Sequence, residues 1–349
     1  MATTLATGIS SGEDSEKVAK EAVLRAKEKL GGRQVDLSMV YCASTYDYQN
    51  VVNAVRASTS KAPLIGCSTA GAFTEEEIGK GSIAVGLIAS DDMRCYTAMA
   101  EGVKEDPERV VRSLANKLPG NVDGFPHLKS ILLIDGLAGV GEEMTVLASQ
   151  IFDQVFVGAV GLVGGTAGDD MQLKETFVFS DDNIATNAAS ICLLASRIPL
   201  FTSVKHGHTP LSGPLKITRA AGNTLYEVDG KPAWGVWKEE TAQAAKKRGI
   251  DVEELKTDSE IGQFFANYGF GLATEKEGDY KIRWLSGVND DGSLNFTCGI
   301  AEGSVFHIMD GSDLEAQINA AEEAARIARE SAENAGYSDF AGILVFECA

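Results

Sequence analysis

The chemistry-bearing residues of this chain gather in a small loop that occurs twice. One copy is Gly66-Cys67-Ser68-Thr69-Ala70-Gly71; the other is Gly164-Gly165-Thr166-Ala167-Gly168-Asp169. Each follows an apolar, strand-like run, Pro63-Leu64-Ile65 or Phe156 to Val163, and acidic residues come after each. Loops of Gly, Ala, Ser and Thr have little bulk, so their backbone N–H groups can approach a ligand closely. Ser68, Thr69 and Thr166 offer hydroxyls to a ligand carboxylate, or equally caps for their own turns. Cys67, where a strand meets a Gly-rich turn, occupies a position used for exposed nucleophiles. Catalysis there needs a neighbouring base, the chain has only His127, His206, His208 and His307, and the second loop has no thiol. Cys67 is therefore read as a packing or ligand-lining residue, with an enzyme using Cys67 as the alternative.

Three further groups come into question. Asp135 ends a strand and precedes Gly136-Leu137-Ala138-Gly139-Val140-Gly141, a loop at a helix N-terminus that suits an anion. Its spacing is G-x-x-G-x-G rather than the dinucleotide fingerprint, and no P-loop lysine follows either Gly-rich loop. Asp135 is a ligand contact or a turn former. His206 and His208 share a face if their stretch is extended, but two histidines with no third ligand nearby make a poor metal site. One histidine suffices to hold a haem, and His206, His208 and His307 are the candidates. Asp290-Asp291-Gly292 reads as a hairpin turn.

Bulk properties exclude several classes. The 349 residues carry a formal net charge of −19, which disfavours nucleic acid and anionic lipid as partners. The largest basic cluster, Lys246-Lys247-Arg248, closes a predicted helix, where cations suit the dipole. No apolar run is long enough to span a bilayer and no leader pattern opens the sequence, so a cytoplasmic protein is expected. Six scattered cysteines without a C-x-x-C imply reduced thiols, neither disulfide framework nor zinc site.

Periodicity supplies the elements that hold these residues. Strand Leu5–Ile9, a helix with Val18, Ala22, Val23, Ala26 and Leu30 on one face, strand Leu37–Ala43 and a helix near Tyr48–Ala57 lead to the first loop. Strands Ser82–Ala89 and Arg94–Ala100 follow it. After a helix near Pro107–Lys117 the order starts again with strand Ser130–Ile134, a helix to about Phe152, the second loop, and strands Thr176–Ser180, Ala189–Ala195 and Leu200–Lys205. This β-α-β-loop-β-β repetition means domain duplication. The expectation is an α/β protein, a two-domain layered sandwich with mixed sheets. Residues 1–206 form a first domain duplicated at about 1–105 and 106–206, and 207–349 form the second. The second holds strands Leu215–Thr218 and Leu225–Val228, a helix-rich stretch from Pro232 to Tyr268, and strands to Met309. A long helix then starts at a capping box of Ser312 with Glu315, its small face suited to packing on a sheet, and strand Gly342–Phe346 comes last.

Ile65-Gly66-Cys67-Ser68-Thr69-Ala70-Gly71 resembles the signature of the N-terminal half of the FIST sensory domain, and Val163 to Asp169 resembles that family's second glycine motif. Gly207-His208-Thr209-Pro210-Leu211, Lys216 to Ala220 and Gly222 to Ala233 resemble the opening of its C-terminal half. Ile300 to Val305 and Leu344 to Cys348 are similar to later motifs. The resemblance implies an intracellular, non-catalytic signal-transduction input module. It would bind a small ligand, such as an amino acid, and be paired with a histidine kinase, a chemoreceptor or a cyclic-dinucleotide enzyme. Haem sensing of nitric oxide, known for some members, is the alternative. The ligand is expected in a crevice lined by Cys67, Ser68, Thr69, Gly71, Asp135, Gly164, Gly165, Thr166 and Asp169, with Thr218, Asn223 and Glu227 of the second domain. The family has an Arg shortly after the cysteine corresponding to Cys348, then a closing Gly-Glu-Ile segment, and neither is reached before Ala349. Either the sequence stops short of the protein's own end or the last elements of the second half are missing, and with no output domain in the sequence the signal is expected to pass to a partner or to a missing segment.

Overall fold

The computed structural model describes residues 3–255, 258–274 and 278–347, so Cys348 lies outside the described residues. The chain forms two compact units, one reaching Thr202 and including the stretch from Gly336 onward, the other Ser203–Ala335.

Unit 1 contains β1 (Thr3–Ser11), α1 (Ser15–Lys29), β2 (Leu37–Cys42), α2 (Tyr48–Ser58), β3 (Leu64–Ser68), the short pair β4 (Ala72–Phe73) and β5 (Ile78–Gly79), and β6 (Ser82–Ser90). Then come β7 (Met93–Glu101), α3 (Pro107–Lys117), β8 (His127–Ile134), α4 (Gly141–Val155), β9 (Val160–Thr166), β10 (Val178–Ser180), β11 (Asn183–Ala185) and β12 (Ala188–Ser196). Asp14, Asp47 and Asp106 each cap a helix by accepting a backbone N–H.

One sheet runs β1-β6-β2-β3-β10-β11 and the other β7-β12-β8-β9. The order β1-β6-β2-β3 reappears as β7-β12-β8-β9, with a single parallel pair in each, β2–β3 and β8–β9. This is the duplication the sequence suggests, with one change. Strand β7, expected to close the first copy, opens the second, so the join lies between Ser90 and Met93 rather than near residue 105.

Alternation along the strands makes four layers. Val40, Cys42 and Leu64 face α1 and α2, while Leu132, Ile134 and Ile191 face α3 and α4. The opposite faces of the two sheets meet through Leu37, Met39, Ile65, Cys67, Ile131, Leu133 and Cys192. Asp181 ties the layers: its carboxylate accepts from Leu64 N (3.1 Å) and Arg56 (3.3 Å) beside one sheet, and from Thr97 Oγ1 (2.8 Å) on β7 of the other.

Unit 2 contains β13 (Thr209–Pro210), β14 (Leu215–Ala221), β15 (Thr224–Val228), β16 (Lys231–Pro232), α5 (Ala233–Lys247), α6 (Asp258–Asn267), β17 (Tyr268–Ala273), β18 (Tyr280–Arg283), β19 (Leu285–Val288), β20 (Leu294–Phe296), β21 (Val305–Asp310) and α7 (Leu314–Asn334). Its sheet runs β18-β17-β21-β14-β15-β20-β19, with β13 on β21 and β16 on β15. Trp237 of α5 stacks on Phe270 and Phe306, and Phe264 and Phe265 of α6 complete that core.

Three local expectations change. Residues 200–205 and 342–346 form no strand. Asp313 caps α7, its carboxylate accepting from Glu315 N and Ala316 N, while Ser312 is engaged by Asp310. The small face of α7 does not pack on a sheet: Leu314 and Ile318 are exposed, and Ala332 is its buried residue.

Candidate functional site

The two small-residue loops leave the carboxyl ends of the two parallel pairs. Val40 lies beside Gly66, Tyr41 beside Cys67 and Cys42 beside Ser68; Leu132 lies beside Gly164, Leu133 beside Gly165 and Ile134 beside Thr166. Gly66 thus corresponds to Gly164, Cys67 to Gly165 and Ser68 to Thr166. The match continues where Thr69 N donates to Cys42 O (3.0 Å) and Ala167 N to Ile134 O (2.8 Å). The first glycine of each loop has a packing cause: a Cβ would run into the carbonyl oxygen of Val40 or of Leu132. Gly164 also has a φ of +143°, which disfavours any side chain.

The loops touch. Gly168 N donates to Ser68 O (3.0 Å) and Asp170 N to Thr69 O (3.3 Å), and a Cβ on Gly168 would lie 2.8 Å from Ala70 N. Several expected ligand groups are used in building this junction. Ser68 Oγ is buried and accepts from Phe177 N (3.0 Å). Thr69 Oγ1 donates to Gly71 O (2.6 Å), closing its own turn. Asp169 is buried and accepts the amides of Leu173 (2.9 Å), Lys174 (2.6 Å) and Glu175 (3.2 Å). Asp135, also buried, accepts from Leu137 N (3.0 Å), the Thr176 hydroxyl and Asn187 N. Gly165 and Thr166 remain exposed, and nothing stands within 4 Å of a Cβ on Gly71.

Cys67 is 5% exposed between the sheets, and burial pushes its thiol up to about 12. An activated nucleophile needs the opposite shift. His127, the histidine of unit 1, opens β8 at the end far from the loops, about 23 Å of strand away. Two residues not singled out by sequence join the site. Tyr41 reaches into the inter-sheet space, where its hydroxyl is buried with no hydrogen-bond partner. Burial, then the Cys67 and Cys192 thiols, hold that phenol well above its usual range. Phe346 meets the Tyr41 ring edge-on, with centroids 6.3 Å apart at 79°, and lies 4.0 Å from the Cβ position of Gly165. Tyr41 is legible in the sequence as the inward residue after Leu37 and Met39; Phe346 has no local signal.

The expected residues of unit 2 have local partners. Thr218 Oγ1 accepts from Gly230 N (3.0 Å), Asn223 Nδ2 donates to Phe296 O (3.0 Å), and Glu227 pairs with Arg219 (3.3 Å). His206 and His208 lie 5.7 Å apart, and His206 Nε2 contacts Tyr280 O (3.0 Å). His307 packs on the Tyr280 ring at 5.3 Å with Nδ1 at 3.0 Å from Ser212 O. Burial, then His206, lowers the His208 pKa. The His206 and His208 rings do not fit a haem. The His206 and His208 Nδ1 atoms are buried, and the remaining nitrogen of His208 lies against Gly311. Among the described residues no group of three or more His, Cys, Asp or Glu is arranged for a metal ion, and no helix is long and apolar enough to cross a membrane.

Family models for the FIST N domain and the FIST C domain match residues 36–231 and 248–349. An uncharacterized protein of Methanocaldococcus jannaschii is 25% identical over 73% of this chain; the chain spans about half of that relative's length (49%). An uncharacterized protein of Mycobacterium tuberculosis is 26% identical over 99% of this chain and 85% of its own length. Among solved structures, a cyanuric acid hydrolase from A. caulinodans aligns at 9% identity and a TM-score of 0.27, covering 56% of this chain and 72% of that one. At that score it bears on neither fold nor function.

Proposed function

This chain belongs to the FIST family, whose domains are sensory parts of signalling proteins, and we propose that it senses one small polar ligand through unit 1 and catalyses nothing. The observation that carries this reading is the junction of the two loops at the carboxyl ends of β2–β3 and β8–β9. Ligands of α/β folds collect at such strand ends. Gly165 and Thr166 are exposed there, and the Tyr41 hydroxyl behind them has no partner. Backbone N–H groups and a threonine hydroxyl suit a carboxylate or amide, which makes an amino acid or a similar small acid the ligand class. A ligand that prefers one conformation of the unit shifts its population toward that state. The output goes to a cytoplasmic partner such as a histidine kinase, a chemoreceptor or a cyclic-dinucleotide enzyme.

Calorimetric titration with a panel of amino acids and small carboxylates tests this. One site per chain is expected, weakened about tenfold by Thr166→Val through loss of one hydrogen bond. A folded protein that binds no member of the panel would refute it.

A further inference from the structure

The stretch from Gly336 to Glu347 crosses unit 1 without joining a sheet. Tyr337 packs on Phe201 with centroids 6.0 Å apart, Leu5 N donates to Ala341 O at 3.3 Å, and Gly342 lies against the Leu5 side chain. Beyond that point the apolar run Ile343-Leu344-Val345 is 72%, 37% and 53% exposed. Phe346 alone turns inward, over Gly165 and against Tyr41. Such a segment gains little burial from staying in place.

The duplicated unit gives a measure of what is unusual here. In the first copy β10 closes the edge of β3, with Val178 paired to Cys67 and Phe179 to Gly66. In the second copy β9 ends its sheet, and the bare, exposed Gly165 that corresponds to Cys67 is bordered by the Phe346 ring, 4.0 Å from its Cβ position, instead of by a strand. The Tyr41 ring that Phe346 meets carries a hydroxyl that is buried and unpaired, a costly state for a donor that any nearby acceptor would relieve.

We propose that Ala341–Glu347 is a displaceable strap, and that its Phe346 ring stands where the flat ring of a ligand binds. This rests on the function proposed above and adds the ligand's class: a planar ring bearing a hydrogen-bond acceptor, which meets the Tyr41 hydroxyl. The strap and the ligand exclude one another, so binding frees an apolar segment.

Two readouts test this, on the wild type, Phe346→Ala and Phe346→Leu, with folding checked by circular dichroism. Thermolysin cleavage within Ile343-Leu344-Val345, followed by peptide mass spectrometry, needs no ligand. It should run at least tenfold faster in Phe346→Ala and close to the wild-type rate in Phe346→Leu, which keeps an apolar plug. Benzoate and nicotinamide are the binding probes. Phe346→Ala should bind at least one of them tenfold more tightly than wild type, and adding Tyr41→Phe should remove most of that gain. Equal cleavage rates and equal probe affinities would overturn the strap while leaving ligand binding by the wild type untouched. Fast cleavage with no probe bound would overturn the ligand class. Failure of the wild type in the amino-acid and carboxylate panel is the separate result that removes the underlying function.

Discussion

Replacing Asp169 by alanine removes a carboxylate that is 4% exposed and accepts three backbone amides. Hydrogen bonds to a charged group contribute about 1.5–3 kcal/mol each, so three sum to roughly 4.5–9 kcal/mol. Part of that is offset when the loop relaxes. Asp170, Met171 and Leu173 hold φ of 55°, 62° and 54°, a left-handed backbone that costs about 1–2 kcal/mol per residue and is released once the amides are free. The net loss expected is about 1.5–3 kcal/mol. With a urea m-value of about 2–3 kcal/mol/M, the midpoint falls by about 1 M. The assay must see unit 1. Trp234, Trp237 and Trp284 all lie in unit 2, so far-UV circular dichroism should show the early transition while tryptophan emission serves as the internal control. Asp169→Asn, which keeps one acceptor oxygen, should fall between the two. If Asp169→Ala unfolds within 0.5 kcal/mol of wild type (a marginal effect) but loses ligand, the carboxylate faces ligand and the loop is held by something else.

Gly66→Ala should destabilise unit 1 by about 2–3 kcal/mol through overlap with the Val40 carbonyl, whereas Gly71→Ala, with open space around it, should leave stability unchanged; equal urea midpoints would contradict this. The Glu75 carboxyl is held down to about 2, by Lys29 first and then by Thr7. A depressed folded-state value stabilises above the unfolded pKa of about 4.3, and that contribution is lost as pH falls toward 2. The wild type and Glu75→Gln should therefore converge in Tm as pH drops through that window, and parallel Tm profiles would show that the ion pair contributes nothing. Asp181→Ala removes the carboxylate that bridges Leu64, Arg56 and Thr97 across the layers, and should cost about 2–4 kcal/mol by urea titration; a loss below about 0.5 kcal/mol would mean the sheets are held by apolar packing alone.

Local periodicity makes most of this architecture legible, because amphipathic helices and alternating strands carry their own signal. The helix over Pro107–Lys117 and the hairpin around Asp290-Asp291-Gly292 follow from spacing and turn chemistry alone. What sequence does not supply is pairing between distant segments. β10 belongs to the second copy yet pairs with β3 of the first, and no residue of Val178–Ser180 records that choice. The join between copies is displaced for a similar reason: β7 follows β6 after a two-residue turn, as a hairpin partner would, but pairs with β12 in the other sheet. At the site, residue type is a poor guide to role. Ser68, Asp135 and Asp169 have the chemistry of ligand groups, and only the hydrogen-bond geometry assigns them to the backbone around them. Ile343 to Phe346 has the composition of a strand, yet the segment joins no sheet, and nothing in its own residues records that outcome.

Duplication of a loop does not by itself duplicate a site. In both copies the first glycine meets the carbonyl of the neighbouring strand, so that feature follows from the strand packing and would persist without any ligand. The copies part at the next residue. Cys67 is enclosed under Val178 by a strand borrowed from the second copy, and its side chain contributes to the core between the sheets. Gly165 has neither side chain nor strand above it, because the second copy has given its β10 away. One exchange of a strand therefore closes one loop and leaves the other open. The open loop keeps the bare backbone that a ligand requires, and the closed one supplies the rigid wall, through Ser68 and Thr69, on which the open loop rests.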